Sequence, residues 1–102
     1  MPHHKGNHMI RVIIERHIAP TLEEHFDQIE RSILQSAVVV PGYISGESFK
    51  NVQDPNHRFI LCTWRSVQDW HQWHQSDERK AMLANLTPLM DREEQITVLE
   101  LS

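Results

Sequence analysis

The chain reads as an α+β domain in which a four-stranded antiparallel sheet carries its helices on one face, in the order βαββαβ. Three observations predict it. Runs rich in β-branched residues alternate with apolar stripes of helical spacing. Thr21 and Ser66 are each followed three positions later by an acidic residue, Glu24 and Asp69, ahead of a helical stretch. The two middle strand-like runs are parted by a short turn-like stretch and not by a helix.

The elements follow in order. Met9 to Ile18 (MIRVIIERHI) contains neither glycine nor proline and reads as a strand that Pro20 ends. Thr21 and Glu24 form a capping box, and Leu22, Phe26, Ile29, Ile33 and Ala37 recur at spacings of three and four, predicting a helix over Thr21–Ala37. Pro41-Gly42 is a turn, and Tyr43 to Val52 is a second strand in which Gly46 suggests a bulge. Gln53 to Asn56 makes the hairpin loop, and Arg58 to Arg65 the third strand. Ser66 and Asp69 open a helix to Gln75, and Ser76-Asp77-Glu78 a further one, which Pro88 should break. Ile96 to Leu101 closes the sheet. This is the split βαβ, ferredoxin-like plan.

With 102 residues, one domain is expected over residues 9–102, preceded by a flexible polar tail over residues 1–8, MPHHKGNH, with no apolar stretch of a secretory kind. Ten Lys and Arg against 14 Asp and Glu give a formal net charge of −4, and no basic run occurs, which speaks against nucleic acid and anionic membrane as partners. Cys62 is the single cysteine, so an intrachain disulfide scaffold is excluded. The longest apolar runs fall far short of the roughly 20 residues that span a bilayer. A cytoplasmic protein is expected.

The strands carry a further message. A sheet covered on one side should alternate apolar with polar, yet Val12-Ile13-Ile14 and Phe59-Ile60-Leu61-Cys62 are apolar on both faces. Helices can cover one face, so a second copy is expected on the other, in a homodimer packed sheet to sheet.

Among side chains with chemistry, Trp64, Trp70 and Trp73 stand out: one ends a strand, the others lie one turn apart on the next helix. They are core anchors or, at a strand end, the wall of a pocket. Glu15 and His17 share a strand face and, with Trp64, are the expected catalytic group, able to move a proton in a common cavity. Solvated side chains without such a role are the plainer alternative. His71 and His74 share a helix face, but no third ligand is evident, so no metal is expected. Cys62 reads as a small buried hydrophobe. With three glycines there is no phosphate-binding loop, and no GxSxG elbow occurs.

Val40-Pro41-Gly42-Tyr43 after the first helix, Trp64-Arg65-Ser66 followed by Trp70 and Trp73, and Gln75-Ser76-Asp77 before the next helix together resemble the antibiotic biosynthesis monooxygenase (ABM) domain family, over Met9 to Leu101. The resemblance implies a dimeric α+β barrel. It also implies a cofactor-independent monooxygenase that oxidises a small aromatic, anthrone- or quinol-like substrate, with no cofactor. Trp64, Trp70, His74 and Leu83 would bind the substrate, and Glu15 or His17 would accept its proton. Other branches differ at telling positions. The haem-degrading branch is similar in Trp64, but its strand asparagine falls at Glu15 and its iron-ligating histidine at Leu83, which cannot ligate iron. The quinol-oxygenase-like histidine falls in a stretch occupied by Glu78 and Arg79. A non-catalytic dimeric module that binds a small ligand is the alternative from another class.

Overall fold

The computed structural model describes residues 8–102; the expected tail lies, but for His8, outside the described residues. The elements are β1 (Ile10–His17), α1 (Glu23–Ala37), β2 (Tyr43–Asn51), β3 (Asp54–Trp64), α2 (Val67–His74), α3 (Asp77–Leu86), a 3-10 turn (Thr87–Leu89) and β4 (Gln95–Glu100). All strand pairs are antiparallel, in the order β2-β3-β1-β4. This is the ferredoxin-like α+β fold.

Register decides which residues share a face, because directly opposed residues of antiparallel strands project to the same side. Ile10 faces Trp64, Val12 faces Cys62, Ile14 faces Ile60 and Arg16 faces Arg58. All eight are buried on the helix-covered side. Their neighbours Arg11, Ile13, Glu15 and His17 face Thr63, Leu61, Phe59 and His57 on the opposite side. Among the described residues no helix lies on that open side, where Phe49 is 48% exposed and Leu99 43%.

Three local expectations are corrected. The capping box at Thr21 does not form: the helix starts at Glu23 with Leu22 at its N-cap and no side-chain cap. Thr21 instead takes a positive φ of 74°, and its N–H donates to Glu23 Oε2 at 3.1 Å. That carboxylate also accepts from Asn56 Nδ2 at 2.8 Å, tying the helix start to the β2–β3 hairpin. The hairpin turn is Val52-Gln53 alone, with Asp54 already paired to Asn51. The β2–β3 register shifts between Tyr43 and Ser45 and again between Lys50 and Asn51, not at Gly46; a Cβ at Gly46 would meet the Tyr43 hydroxyl, which would have to move.

The remaining caps form as expected. Ser66 Oγ accepts from Asp69 N–H at 3.2 Å, and Ser76 Oγ from Arg79 N–H at 3.1 Å, each satisfying an orphan donor. Pro88 ends the α3 helix in the 3-10 turn. None of the described helices is long and apolar enough to cross a membrane.

Candidate functional site

The inward faces of β1 and β3 meet α1, α2 and α3 in an apolar cluster built from Ile10, Val12, Ile14, Ile60, Cys62 and the three tryptophans. Trp64 is 1% exposed and lies edge-on to Trp70, with ring centroids 5.7 Å apart at 66°, and nearly parallel to Trp73 at 6.5 Å. Tyr43 meets the Trp64 ring edge-on at 5.5 Å. The indole N–H of Trp64 donates to Cys62 Sγ at 3.3 Å, and that thiol donates to Val12 O at 3.6 Å. Burial pushes the Cys62 thiol up, so it stays protonated. Between these rings and α1 lies a cavity of about 50 Å³, room for a few waters.

One side of this cavity is charged. Arg16 from β1, Glu30 from α1 and Arg79 from α3 line it, each at most 7% exposed. Glu94, just before β4, joins the two arginines: Arg16 Nε donates to Glu94 Oε1 at 3.1 Å, and Arg79 Nη2 to Glu94 Oε2 at 2.6 Å. Burial alone would push the Glu94 carboxyl up, but the two guanidinium groups outweigh it and hold the carboxyl below its usual range. Glu30 behaves in the opposite way. Its Oε1 accepts from Ser48 Oγ at 2.7 Å, while Oε2 has no hydrogen-bond partner among the described residues and sits 3.7 Å from Arg16 Nη1. Burial pushes its carboxyl up, only partly offset by Ser48 and Arg16. Two carboxylates driven apart in one cluster mark a place where one can accept and return a proton.

Beside the cavity is an outer cleft of about 540 Å³, lined by His74, Thr87, Met90, Asp91 to Glu94 and Ile96. The two spaces share Arg79 and Leu83 as common wall. His74 stacks on Trp70 at 5.3 Å, and burial with the nearby Arg79 charge lowers its tendency to hold a proton.

Of the residues expected from the sequence, Trp64, Trp70 and Leu83 line the inner cavity, and His74 lines the outer cleft. Glu15 and His17 do not join them. Trp64 is opposed to Ile10, so it shares a face with the even-numbered residues of β1, while Glu15 and His17 project to the open side. There the His17 ring stacks on His57 at 4.3 Å, and Glu15 Oε2 lies 3.4 Å from His57 Nε2. Among the described residues no group of three or more His, Cys, Asp or Glu side chains is placed to hold a metal.

Arg16, Glu30, Arg79 and Glu94 were not expected. Three of them do leave a signal in the sequence. Arg16 continues the inward alternation of Ile10, Val12 and Ile14. Glu30 falls on the stripe of Phe26, Ile33 and Ala37, and Arg79 on that of Met82, Leu83 and Leu86. A charged residue on an apolar period is either an error of reading or a buried group with a partner. Glu94 precedes its strand in a polar stretch and leaves no such mark.

The comparisons with known proteins bear on this arrangement. Several solved structures share the fold. A conserved protein from Methanosarcina mazei has a TM-score of 0.86 at 20% identity, covering 94% of this chain and 95% of its own. Proteins provisionally assigned as antibiotic biosynthesis monooxygenases follow, from Caulobacter crescentus (TM-score 0.85, 18% identity, 94% and 92% covered) and Nitrosomonas europaea (0.83, 13%, 97% and 94%). At these identities the likeness is one of fold. No curated protein matches the sequence. Residues 9–85, however, match the family Antibiotic biosynthesis monooxygenase, and the chain therefore belongs to that family.

Proposed function

We propose that the protein is a monooxygenase that binds a small, electron-rich aromatic molecule of anthrone or quinol type against Trp64 and Trp70 and oxidises it without metal or flavin. The observation that carries this reading is the buried, half-partnered carboxylate of Glu30, facing a cavity walled by indoles. A carboxyl whose proton affinity is raised by burial is a competent base near neutrality. For an anthrone, Glu30 takes the proton from the ring methylene and the electron pair stays on that carbon. The carbanion reduces dioxygen and a carbon–oxygen bond forms, giving a peroxide. Loss of the remaining hydrogen on that carbon, with cleavage of the O–O bond, leaves a quinone carbonyl and one water, the second proton being returned by Glu30. Dioxygen supplies the oxidant, and the indoles keep bulk water away.

Glu30 replaces Glu15 and His17 in this role, since those two lie across the sheet. We also propose that the open face is covered by a second copy. Ile13, Leu61, Phe59 and Phe49 would form the centre of the contact, giving the dimeric barrel that the family resemblance implies. The unpaired Cys62 fits a cytoplasmic setting.

The test is oxygen uptake with an anthrone and quinol panel. Turnover is expected in the wild type and a loss of two orders of magnitude or more, roughly, in Glu30→Gln. Turnover indifferent to Glu30→Gln and to Trp64→Ala refutes the reading. A ligand-binding module without turnover is the second reading; it predicts saturable binding of the same compounds with no oxygen uptake. Stoichiometric haem binding, seen as a Soret shift, would contradict both.

A further inference from the structure

The inner cavity, at about 50 Å³, is far below the roughly 300–1,000 Å³ of ordinary ligand sites. The outer cleft, at about 540 Å³, is within that range, and the two are parted by Arg79 and Leu83. Leu83 is a flexible apolar side chain. Arg79 is fastened: its Nη2 is 2.6 Å from Glu94 Oε2, and its guanidinium lies 5.9 Å from the centre of the Trp70 ring. We infer that the Arg79–Glu94 ion pair is a gate between the two spaces, and that the ligand which opens it is an aromatic molecule bearing an anionic oxygen. This rests on the reading of the tryptophan cavity as a ligand site.

The charges explain the selectivity. A guanidinium pulled from a buried carboxylate must find another anion, because an unpaired charge at this depth is expensive. A neutral ring cannot supply one. An anionic oxygen can, and the exchange strands nothing, since Glu94 keeps Arg16 at 3.1 Å. The cluster also has room for one more negative charge. Two guanidinium groups face one firmly ionised carboxylate, Glu94, and a second carboxyl, Glu30, which burial biases toward its neutral form. Once released from Glu94, Arg79 still has the Trp70 face beside it, which steadies a swung position by cation–π attraction. The ligand's rings would then span the cleft and the cavity against Trp70, with its anionic oxygen on Arg79.

Two dyes that differ in one group test this: 8-anilinonaphthalene-1-sulfonate, which carries an anion, and N-phenyl-1-naphthylamine, its uncharged counterpart. Binding is followed by dye fluorescence in the wild type, Arg79→Met and Glu94→Gln, each checked for folding by circular dichroism. The wild type is expected to prefer the sulfonate by about tenfold to a hundredfold, the range of one charge-assisted hydrogen bond. Arg79→Met should abolish the preference. Glu94→Gln, which removes the competing carboxylate, should bind the sulfonate more tightly than the wild type, and it reads the gate with opposite sign if Arg79→Met does not fold. Equal binding of the two dyes by the wild type overturns the gate and leaves the cavity reading standing. So does a preference that neither substitution changes, which would place the sulfonate on another cation, Arg92 of the outer cleft or Arg11 of the open face. Failure of both dyes to bind any form overturns the gate and the cavity reading together.

Discussion

Replacing Glu30 by glutamine removes a charge from a site that is 5% exposed and whose Oε2 has no hydrogen-bond partner among the described residues. The amide keeps the acceptor for Ser48 Oγ, and Arg16 keeps Glu94, so the change leaves the surrounding cluster paired. A buried polar atom without a partner costs about 1–3 kcal/mol. The new amide NH₂ would itself lack a good acceptor, which puts the expected gain at the lower end, about 1 kcal/mol at neutral pH. For a domain of this length that raises Tm by roughly 4–8 °C.

The pH dependence gives this prediction its sign. Burial raises the folded-state pKa of Glu30 above its unfolded value. Its contribution is therefore favourable below the unfolded carboxylate range and is lost as pH rises through the folded pKa. Glu30→Gln should consequently gain stability over the wild type near pH 7–8, and the difference should shrink toward zero at about pH 4. Differential scanning calorimetry of both proteins across that range measures it. A variant less stable than the wild type at neutral pH, or a gain that is the same at both ends, would refute the placement of an only partly compensated carboxyl in this cavity. A gain in stability coupled to a loss of turnover is the trade expected of a residue kept for chemistry.

Glu94→Gln is expected to do the reverse. The folded-state pKa of Glu94 is lowered by Arg16 and Arg79 against the opposing effect of burial, so its stabilisation is present above the unfolded carboxylate range and disappears as pH falls through the folded value. The loss should be about 3–5 kcal/mol near pH 7 and much smaller in acid, read by urea midpoints. Thr21→Gly should stabilise by about 1 kcal/mol, because the β-branched residue holds a positive φ that glycine adopts freely; an unchanged or lower Tm would refute it. Leu61→Asp, on the open face opposite Ile13, should convert the proposed dimer to a monomer in light scattering without loss of the protomer's circular dichroism; a mass equal to that of the wild type would count against a sheet-to-sheet interface.

Much of the fold was legible because its signals are local. The Ser66 and Ser76 caps, the break at Pro88 and the apolar stripe of α1 each depend on residues within one or two helical turns. The failures came where distant parts of the chain decide. Thr21 and Glu24 have the sequence of a capping box, but Thr21 takes a positive φ, its N–H donates to Glu23 instead, and that carboxylate is also held by Asn56, 33 positions away, so the helix starts at Glu23. The expected grouping of Glu15, His17 and Trp64 failed on parity. Each strand's alternation was readable, yet which alternate set of β1 faces Trp64 depends on register, and a shift of one residue would exchange the two sets. The charged residues of the cavity were legible in principle. Arg16, Glu30 and Arg79 each interrupt an apolar period, and that interruption marks the site better than the histidine count did.

The central claim is that Glu30 takes a proton from a substrate held against the tryptophans. It is tested most directly without oxygen, by adding anthrone to the protein under argon and recording the absorbance of the deprotonated ring system. The wild type should accumulate the anion in proportion to bound ligand, while Glu30→Gln should bind anthrone and leave it protonated. Equal ionisation in the two proteins, or binding with no ionisation in the wild type, would contradict the claim.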